Sequence, residues 1–336
     1  MKYLRKLLFP FAAIYYVVVC LRNALYNTGV WKSKTYDFPI VCVGNLSTGG
    51  TGKTPMTEYV IRLLKDSKSL GVLSRGYGRK TKGFIAVKPE HTALEVGDEP
   101  LQYATKFRDI EVAVCEDRRT GIQNMRSDNP APSVIVLDDA FQHRKVQAGF
   151  SMLLTSYSSL FNTDFVLPVG NLRESRRGAK RAQAVIVTKC PTDLSQKQRA
   201  RIAKELEKYT KEEIYFTTIT YDSQVYSPGS AISLSDLSHK DIVLVTGIAN
   251  PNPLLDYLNE CDLNYTHKRY SDHHNFTTAE LEELEKCSCI LTTEKDYMRL
   301  QSLIKKPQIY YLPIQVSFLG RGKNRLDKKI IEFVNS

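Results

Sequence analysis

Short apolar runs, each bounded by glycine, proline or polar residues, alternate with helix-like stretches along much of the chain. Runs of this kind that carry almost no charge are typical of strands in a parallel sheet with helices on both faces. Besides the run that starts at Val41, we predict such strands at residues 70–73, 111–115, 134–137, 152–154, 185–187 and 215–220. The pattern therefore predicts an α/β fold arranged as an α/β/α sandwich.

The strand and helix pattern begins again near residue 222, with strands at 241–247 and 288–293 and helices beside them. This predicts a second, smaller α/β domain, 222–307. The segments that flank it, 214–221 and 308–315, are both strand-like, and we expect them to pair as a two-stranded hinge. A final helix at 326–334 is expected to return to the first domain, which then comprises 1–221 and 308–336.

The first 36 residues contain an apolar run at 7–21, several basic residues and no acidic residue. The run is shorter than the roughly 20 residues that cross a bilayer, and positive charge lies on both sides of it. We expect a helix at the membrane interface, with Tyr15 and Tyr16 at headgroup depth and the basic flanks on anionic lipid. A core helix is the alternative, but it does not explain why the charged residues on both sides of the run are all positive. The basic residues are Lys2, Arg5, Lys6, Arg22, Lys32 and Lys34.

The composition changes this picture little. A hydrophobic content of 42% and a charged content of 25% are ordinary for a folded soluble protein and exclude a polytopic membrane protein or a disordered chain. The net charge of +11 suits nucleic acid, phosphorylated small molecules or anionic lipid as partners. The seven cysteines form no C-x-x-C pair, which indicates a reducing compartment and no structural metal site.

A glycine-rich loop follows the apolar run at 41–45 and leads into a helix start. Glycines in such a loop let backbone N–H groups point at one phosphate, which makes this a candidate nucleotide site. Ser47 stands where the G-x-x-x-x-G-K-[ST] pattern has its first glycine, Lys53 can reach the β- and γ-phosphates, and Thr54 can offer its hydroxyl to Mg²⁺. A hairpin turn, the alternative, needs neither the Lys-Thr pair nor a strand without charge. The predicted nucleotide-binding residues are Ser47, Thr48, Gly49, Gly50, Thr51, Gly52, Lys53 and Thr54.

Two adjacent acids, Asp138 and Asp139, follow the predicted strand 134–137. A carboxylate at the end of an apolar strand is typical of a Walker B position, which binds Mg²⁺ directly or through water. A solvated turn would leave the two charges to repel each other without a cation. Glu174, inside a basic run, is a possible further neighbour of the metal. At 188–191 the sequence TKCP lacks the acid of a guanine-reading motif, which favours ATP over GTP.

Further candidate residues lie in three other loops. The loop SRGYGR at 74–79 follows a strand and could bind an anionic acceptor, although it could also be a flexible basic turn. Asp98 is either a helix N-cap or a general base. His273 and His274 are adjacent in a predicted loop, where they could handle protons, contact the nucleotide or serve the structure.

Together these motifs resemble one family. The order GNLSTGGTGKTP, SRGYGR, VGDEP, LDDAFQH, GNLRES, SDHHNF and TTEKD, after a basic apolar N-terminus, is similar to that of the tetraacyldisaccharide 4'-kinases, and the likeness covers nearly the whole chain. The resemblance implies a P-loop kinase-like α/β/α sandwich with a second, smaller α/β domain joined by a two-stranded hinge. One departure is Ala140, where the family usually has glycine after the acidic pair.

Membership would imply a peripheral enzyme on the cytoplasmic face of the bacterial inner membrane. It would transfer the γ-phosphate of ATP to the 4'-hydroxyl of an acylated disaccharide 1-phosphate, giving lipid IVA, with Mg²⁺ as cofactor. Carried over by position, the family's metal ligands fall on Thr54, Asp138, Asp139 and Glu174, and its catalytic groups on Lys53, Asp98 and His273. The acceptor would be bound by Ser74, Arg75, Tyr77 and Arg79.

Two other functions are kept as alternatives. A P-loop ATPase or GTPase switch of the partitioning or metallochaperone type fits the loop but leaves the apolar N-terminus and the loop at 74–79 unexplained. A nucleic-acid-binding module is suggested by the net charge alone, and no DNA- or RNA-binding motif accompanies it. We therefore expect a membrane lipid surface and the lipid substrate as partners, no nucleic acid, and no protein partner.

Overall fold

The computed structural model describes residues 5, 7–127, 130–305 and 308–336, and its strands form two sheets. In chain order the strands are β1 (Ile40–Asn45), β2 (Leu70–Ser74), β3 (Ile85–Ala86), β4 (Glu111–Val114), β5 (Val134–Asp138), β6 (Phe150–Ser156), β7 (Ala184–Thr188), β8 (Ile214–Tyr221), β9 (Gln224–Ser227), β10 (Ser230–Ser233), β11 (Ile242–Thr246), β12 (Thr266–Arg269), β13 (Cys289–Thr293), β14 (Gln308–Leu312) and β15 (Ile314–Phe318). The larger sheet has the order β15-β8-β7-β6-β1-β5-β2-β4-β3, and the smaller one β10-β9-β14-β13-β11-β12.

Helices cover both faces of the larger sheet, as the apolar pattern predicts. In chain order the helices of the described residues, including α7, α8 and α9 beside the smaller sheet, are α1 (Phe9–Asn27), α2 (Lys53–Leu64), α3 (Ala93–Val96), α4 (Asp98–Lys106), α5 (Arg118–Ser127), α6 (Gln196–Leu206), α7 (Asn252–Glu260), α8 (Thr278–Leu284), α9 (Glu294–Leu300) and α10 (Gly322–Asn335), with 3₁₀ turns at Arg176–Arg181 and Leu234–Leu237. The predicted α/β/α sandwich is confirmed.

The central strand β1 shows why the sandwich forms. All six of its residues are buried, and alternate side chains point to opposite faces of the sheet. Val41 and Val43 share one core with Val60 of α2, whereas Cys42 shares the other with Met125 of α5. Because β1 and β5 are parallel neighbours, with Val43 opposite Asp138, the glycine-rich loop and the acidic pair emerge at the same edge of the sheet.

The connection between the sheets differs from the expected hinge. The strand expected at 308–315 is divided at Pro313, which lacks the N–H that a central strand needs. Its first part, β14, pairs parallel with β13 in the smaller sheet. Only from Ile314 does the chain pair antiparallel with β8, with Ile314 opposite Tyr221. The smaller sheet thus includes Leu312, beyond the expected limit of residue 307.

Some elements were not predicted from the sequence. The hairpin of β9 and β10 consists of short, mostly polar segments joined at Gly229, and β12 contains two basic residues, so neither has a strong strand pattern. The last helix, α10, begins at Gly322, earlier than expected. Its apolar residues Leu326 and Ile330 share a core with the central strand β1, so it does return to the larger sheet.

Helix α1 lies on the surface with two distinct faces. Ala12 and Val19 are buried against the protein, whereas the opposite face is exposed and apolar. The helix is long and apolar enough to cross a membrane by length and composition, and only 17% of that apolar window is buried, which disfavours a core helix. Against expectation, the Tyr15 hydroxyl points to the protein and donates to the backbone oxygen of Arg173. The expected basic flank includes Lys2 and Lys6, which lie outside the described residues.

Candidate active site

The glycine-rich loop spans the gap between the end of β1 at Asn45 and the start of α2 at Lys53. Gly49 and Gly52 have φ values of +101° and +80°, which side chains other than glycine rarely tolerate. The Asn45 amide donates to Thr51 Oγ1 over 2.7 Å, which fixes the loop from inside. The loop is therefore a preformed turn before a helix N-terminus, the arrangement that binds phosphate.

Lys53, at the end of this loop, faces Asp139. The Lys53 Nζ lies 3.8 Å from Asp139 Oδ2, and Arg173 Nη2 donates to Asp139 Oδ1 over 2.8 Å. Burial alone would raise the pKa of Asp139, but Lys53 and Arg173 outweigh it and hold that pKa below its ordinary value. Asp139 itself has φ +46°, so the left-handed conformation falls on the second acid, not on Ala140, and the methyl group there is tolerated.

Asp138 is buried beneath the loop. Its carboxylate accepts hydrogen bonds from Ser74 Oγ at 3.2 Å and from Thr57 Oγ1 at 3.4 Å. Burial raises the pKa of Asp138 to about 6, and the nearby charges of Asp139 and Glu99 act in the same direction. The surroundings thus favour a cation beside this carboxylate.

These residues fit the predicted magnesium ion. Carboxylate and hydroxyl oxygens are its preferred ligands, and Mg²⁺ typically binds one or two carboxylates together with substrate phosphates and water. Within the described ranges, no group of three or more His, Cys, Asp or Glu side chains could hold a metal by itself. Asp138, Asp139 and Thr54 therefore suit a metal that arrives with a nucleotide, which keeps this assignment a prediction.

Glu174 is held by other partners. Its buried carboxylate pairs with Arg181 through both oxygens, at 2.8 and 2.9 Å. It also accepts hydrogen bonds from Gln142 and from Asn23 of α1, both at 3.0 Å. The structure brings its neighbour Arg173 to the acidic pair, whereas Glu174 itself joins the loop to α1. A metal-binding role for Glu174 remains a prediction.

Asp98 starts helix α4 and meets residues from the smaller sheet. Its buried carboxylate accepts from Arg299 Nε over 2.8 Å and also from Arg299 Nη2, while His273 Nδ1 lies 3.1 Å away. Burial acts to raise the pKa of Asp98, but the hydrogen bonds with His273 and Arg299 outweigh it, and the pKa is lowered. Asp98 is therefore ionised at neutral pH.

His273 is fixed on both sides of its ring. Lys295 Nζ donates to His273 Nε2 over 2.9 Å, and on the other side of the ring Nδ1 lies 2.7 Å from Arg299 Nη2 as well as close to Asp98. The ring edge packs on Tyr77 with centroids 5.5 Å apart. His273 also adopts φ +58°, a strained conformation of the kind that clusters at functional sites.

The loop at 74–79 contributes unequally to the site. Ser74 donates a hydrogen bond to Asp138, and Tyr77 packs on His273. The side chain of Tyr77 is nevertheless 68% exposed, and Arg75 is also exposed. Arg79 instead has a buried side chain that pairs with Glu116 at 2.6 Å and donates to Gly83 O at 2.7 Å. Its contacts hold the loop in shape, so of the four predicted acceptor residues it is the least free to bind a ligand.

Several residues at the site were not predicted from the sequence: Thr57, Glu99, Arg118, Arg173, Lys295 and Arg299. Arg173, Glu99 and Lys295 lie inside motifs that the sequence analysis quoted, so their position was a usable signal. Arg118, which is buried and donates to Cys115 O over 2.6 Å, has no motif of its own. Arg299 comes from a helix of the smaller sheet, and nothing in its local sequence points to Asp98.

A parallel sheet that presents a glycine-rich loop, a lysine at a helix start and an acidic pair at one edge defines a P-loop nucleotide-binding protein. The ionised Asp98 adds a candidate proton acceptor, because its partner His273 packs on the loop whose Ser74 contacts the acidic pair. The sequence profile of the tetraacyldisaccharide-1-P 4'-kinase family matches residues 4–334, and the chain belongs to this family.

Similar proteins support this assignment. The chain is 46% identical over 338 residues to a tetraacyldisaccharide 4'-kinase of Flavobacterium johnsoniae, covering 99% of this chain and 98% of the relative. It is 45% identical to the protein of the same name from Flavobacterium psychrophilum, covering 100% and 98%. It also resembles the crystal structure of LpxK from Aquifex aeolicus in complex with ATP, with a TM-score of 0.79, 28% identity, and coverage of 98% and 99%. The expected family is thus confirmed, and a kinase is favoured over an ATPase or GTPase switch.

Proposed function

We propose that this protein transfers the γ-phosphate of ATP to the 4'-hydroxyl of a tetraacyldisaccharide 1-phosphate and so forms lipid IVA in lipid A biosynthesis. One observation carries the proposal beyond the family assignment. The loop at 74–79 contacts both halves of the site, because Ser74 bonds to Asp138 and Tyr77 packs on His273 beside Asp98. A ligand on this loop would lie between the phosphate donor and the candidate base.

On the donor side, the residues bind and neutralise phosphate. The loop amides and Lys53 hold the β- and γ-phosphates, and Arg173 keeps Asp139 oriented toward Lys53. Thr54, Asp138 and Asp139 would hold Mg²⁺, which when bound neutralises charge on the phosphates.

On the acceptor side, Asp98 receives the proton. The 4'-oxygen forms a bond to the γ-phosphorus while the bond from that phosphorus to the β–γ bridging oxygen breaks, and ADP leaves. The hydroxyl proton passes to the ionised Asp98, which His273 and Arg299 orient. A lowered pKa makes Asp98 a weak base, which suits a reaction whose transition state is loose and in which positioning contributes most.

The location we propose is peripheral, at the cytoplasmic face of the inner membrane. The outward face of α1 presents apolar side chains at helical spacing, and the chain carries a net charge of +11. An apolar helix face together with positive charge favours the surface of an anionic bilayer. The exposed residues of this face are Phe11, Ile14, Val18 and Leu21. Acyl chains of the acceptor could then stay in the bilayer while the sugar enters the cleft.

A transfer assay tests the proposed activity. ATP labelled at the γ-phosphate is mixed with detergent-dispersed tetraacyldisaccharide 1-phosphate, and we expect label in the lipid phase. The same acceptor already phosphorylated at the 4'-position should stay unlabelled. Lys53→Met should reduce transfer at least about 100-fold, since it removes a cation at the transferred group. Lys197→Met, at an exposed lysine of α6, serves as the control. Label found only in inorganic phosphate would contradict the kinase and support a nucleotide switch.

A further inference from the structure

Lys189 adopts a backbone conformation that its own surroundings do not explain. Among the described residues, the non-glycine residues with positive φ are Asp139, Lys189, Asp262 and His273. Asp262 directly follows the C-terminal turn of α7, where a left-handed residue is common. Asp139 and His273 belong to the site described above. Lys189, at φ +55°, is therefore the strained residue without an assigned role, and such strain is concentrated at functional sites.

The side chain of Lys189 lies against the glycine-rich loop. Lys189 follows the last residue of β7, Thr188, whose hydroxyl donates to Thr51 O over 2.8 Å and so joins the strand to the loop. A side chain added to Gly50 would have its Cβ 3.6 Å from the Lys189 Nζ. The ammonium group thus lies against the middle of the loop that is built to hold phosphate.

The charge of Lys189 has no counter-ion there. No ion pair or hydrogen bond of its side chain occurs within the described ranges, whereas Lys53 has Asp139 at 3.8 Å. Asp272 is the acid whose charge acts on Lys189, and it already pairs with Lys295 at 2.9 Å. The residue is exposed overall, and its ammonium group lies beside the glycine-rich loop. Partial desolvation, together with the nearby Lys53, lowers the pKa of Lys189, and Asp272 only partly opposes the shift.

Lys53 and Lys189 thus lie beside one loop, and Asp139, the acid that pairs with Lys53, is also held by Arg173. We infer that Lys189 is a second phosphate-binding lysine, which contacts the phosphate chain of the bound nucleotide together with Lys53. The inference rests on the proposed function only in taking a nucleoside triphosphate as the ligand of the loop. The inference also assigns a role to the TKCP segment at 188–191, which lacks the acid of a guanine-reading motif.

Nucleotide binding to the full-length protein tests this inference. Affinities for ATP, ADP and AMP are measured by titration calorimetry, with kcat and the KM for ATP from the transfer assay. Lys189→Met should weaken binding of ATP and ADP about tenfold or more, because a charge-assisted contact is lost, and should affect AMP much less. The KM for ATP should rise while the KM for the lipid acceptor stays unchanged. Equal losses for all three nucleotides would overturn the assignment to the phosphate chain.

Three further variants separate function from folding. Lys189→Gly relieves the positive φ and should be at least as stable as the wild type, yet it should lose the same nucleotide affinity. Lys189→Arg keeps the charge and should recover most of it. Lys197→Met removes a lysine from the same region of the chain and should bind ATP normally. ATP affinity within twofold of wild type in both Lys189→Met and Lys189→Gly would overturn the inference.

Failure of the proposed function gives a different result. A wild-type protein that binds ATP but does not label the lipid acceptor would contradict the kinase proposal and leave the nucleotide titrations interpretable. Conversely, normal ATP affinity in the Lys189 variants of an active kinase would remove Lys189 from the site and leave the kinase proposal intact.

Discussion

At the scale of single residues, Asp98 is held between opposing influences. Burial disfavours its charge, whereas Arg299 and His273 favour it, and the second influence prevails. A proton acceptor must be ionised to act, so these two partners set the lowest pH at which the site can work.

Arg299→Met should therefore move the acidic limb of activity. Without the guanidinium the pKa of Asp98 rises, so a higher pH is needed to ionise it, and the acidic limb of kcat/KM should shift upward by about one pH unit. The measurement is a pH profile of phosphate transfer. Arg299→Lys, which keeps a positive charge, should shift it less. An unchanged acidic limb in Arg299→Met would show that Asp98 does not govern it.

Asp138→Asn tests the metal assignment. The amide keeps the size of the side chain but removes the charge, so the concentration of Mg²⁺ needed for half-maximal transfer should rise about tenfold or more. Direct titration of Mg²⁺ into the protein with a non-hydrolysable ATP analogue gives a second readout. Asp193→Asn, at an exposed acid, is the matched control. An unaltered Mg²⁺ requirement in Asp138→Asn would remove this residue from the metal site.

At the scale of elements, helices α4 and α9 are joined at both ends. Asp98 begins α4 and binds Arg299 near the end of α9, while Lys106 ends α4 and binds Glu294 at the start of α9 over 2.7 Å. Lys106 also pairs with the buried Glu58 of α2 at 2.9 Å. One lysine thus links the helix after the nucleotide loop, the helix of the candidate base and the smaller sheet.

Lys106→Met should destabilise the protein by about 3–5 kcal/mol, because two buried carboxylates lose their shared cation. Burial, with Glu58, already raises the pKa of Glu294 to about 7. A carboxyl with a raised folded pKa stabilises the fold fully only below its unfolded pKa, and this stabilisation is lost as the pH rises through the folded pKa. The variant should therefore be more stable at about pH 5 than at about pH 8 in urea denaturation. Adding Glu294→Gln should recover part of the loss at the higher pH. A variant that stays as stable as wild type would contradict this account.

The sequence predicted the elements whose pattern is local. The strand β5 and the acids after it could be placed because an apolar run must be buried and parallel strands share an edge. The contact of Arg299 with Asp98 could not be predicted, because 201 positions separate them and their meeting depends on how two sheets pack. The division of the strand at Pro313 was predictable in principle, since proline within a strand-like run is a warning against a single strand.

The outward face of α1 predicts binding to lipid vesicles. Phe11→Ser and Val18→Ser should each weaken binding to anionic vesicles about tenfold, because burying a large apolar side chain contributes about 1.5–3 kcal/mol. Vesicle flotation measures the bound fraction, and ATP affinity should be unaffected. Leu303→Ser changes an exposed leucine elsewhere and should bind vesicles normally. Equal losses in Leu303→Ser would show that vesicle binding does not depend on the outward face of α1 in particular.

At the scale of the whole molecule, the net charge of +11 should contribute to membrane binding in addition to the apolar face. Raising the salt from about 0.1 M to about 1 M shortens the screening length from about 10 Å to about 3 Å, so binding to anionic vesicles should weaken. Binding to vesicles of neutral lipid should be weaker at low salt and nearly independent of salt. Equal binding to both kinds of vesicle at low salt would exclude a role for charge.

The inward face of α1 is tied to residues that line the nucleotide loop. Tyr15 holds the backbone of Arg173, whose side chain orients Asp139, and Asn23 holds Glu174 beside it. Deleting the first 27 residues to obtain a more tractable protein would therefore also remove the two hydrogen bonds that hold Arg173 and Glu174. Low activity in such a shortened protein would then report damage to the catalytic centre as well as detachment from lipid, and the two could be told apart only with soluble, short-chain acceptors.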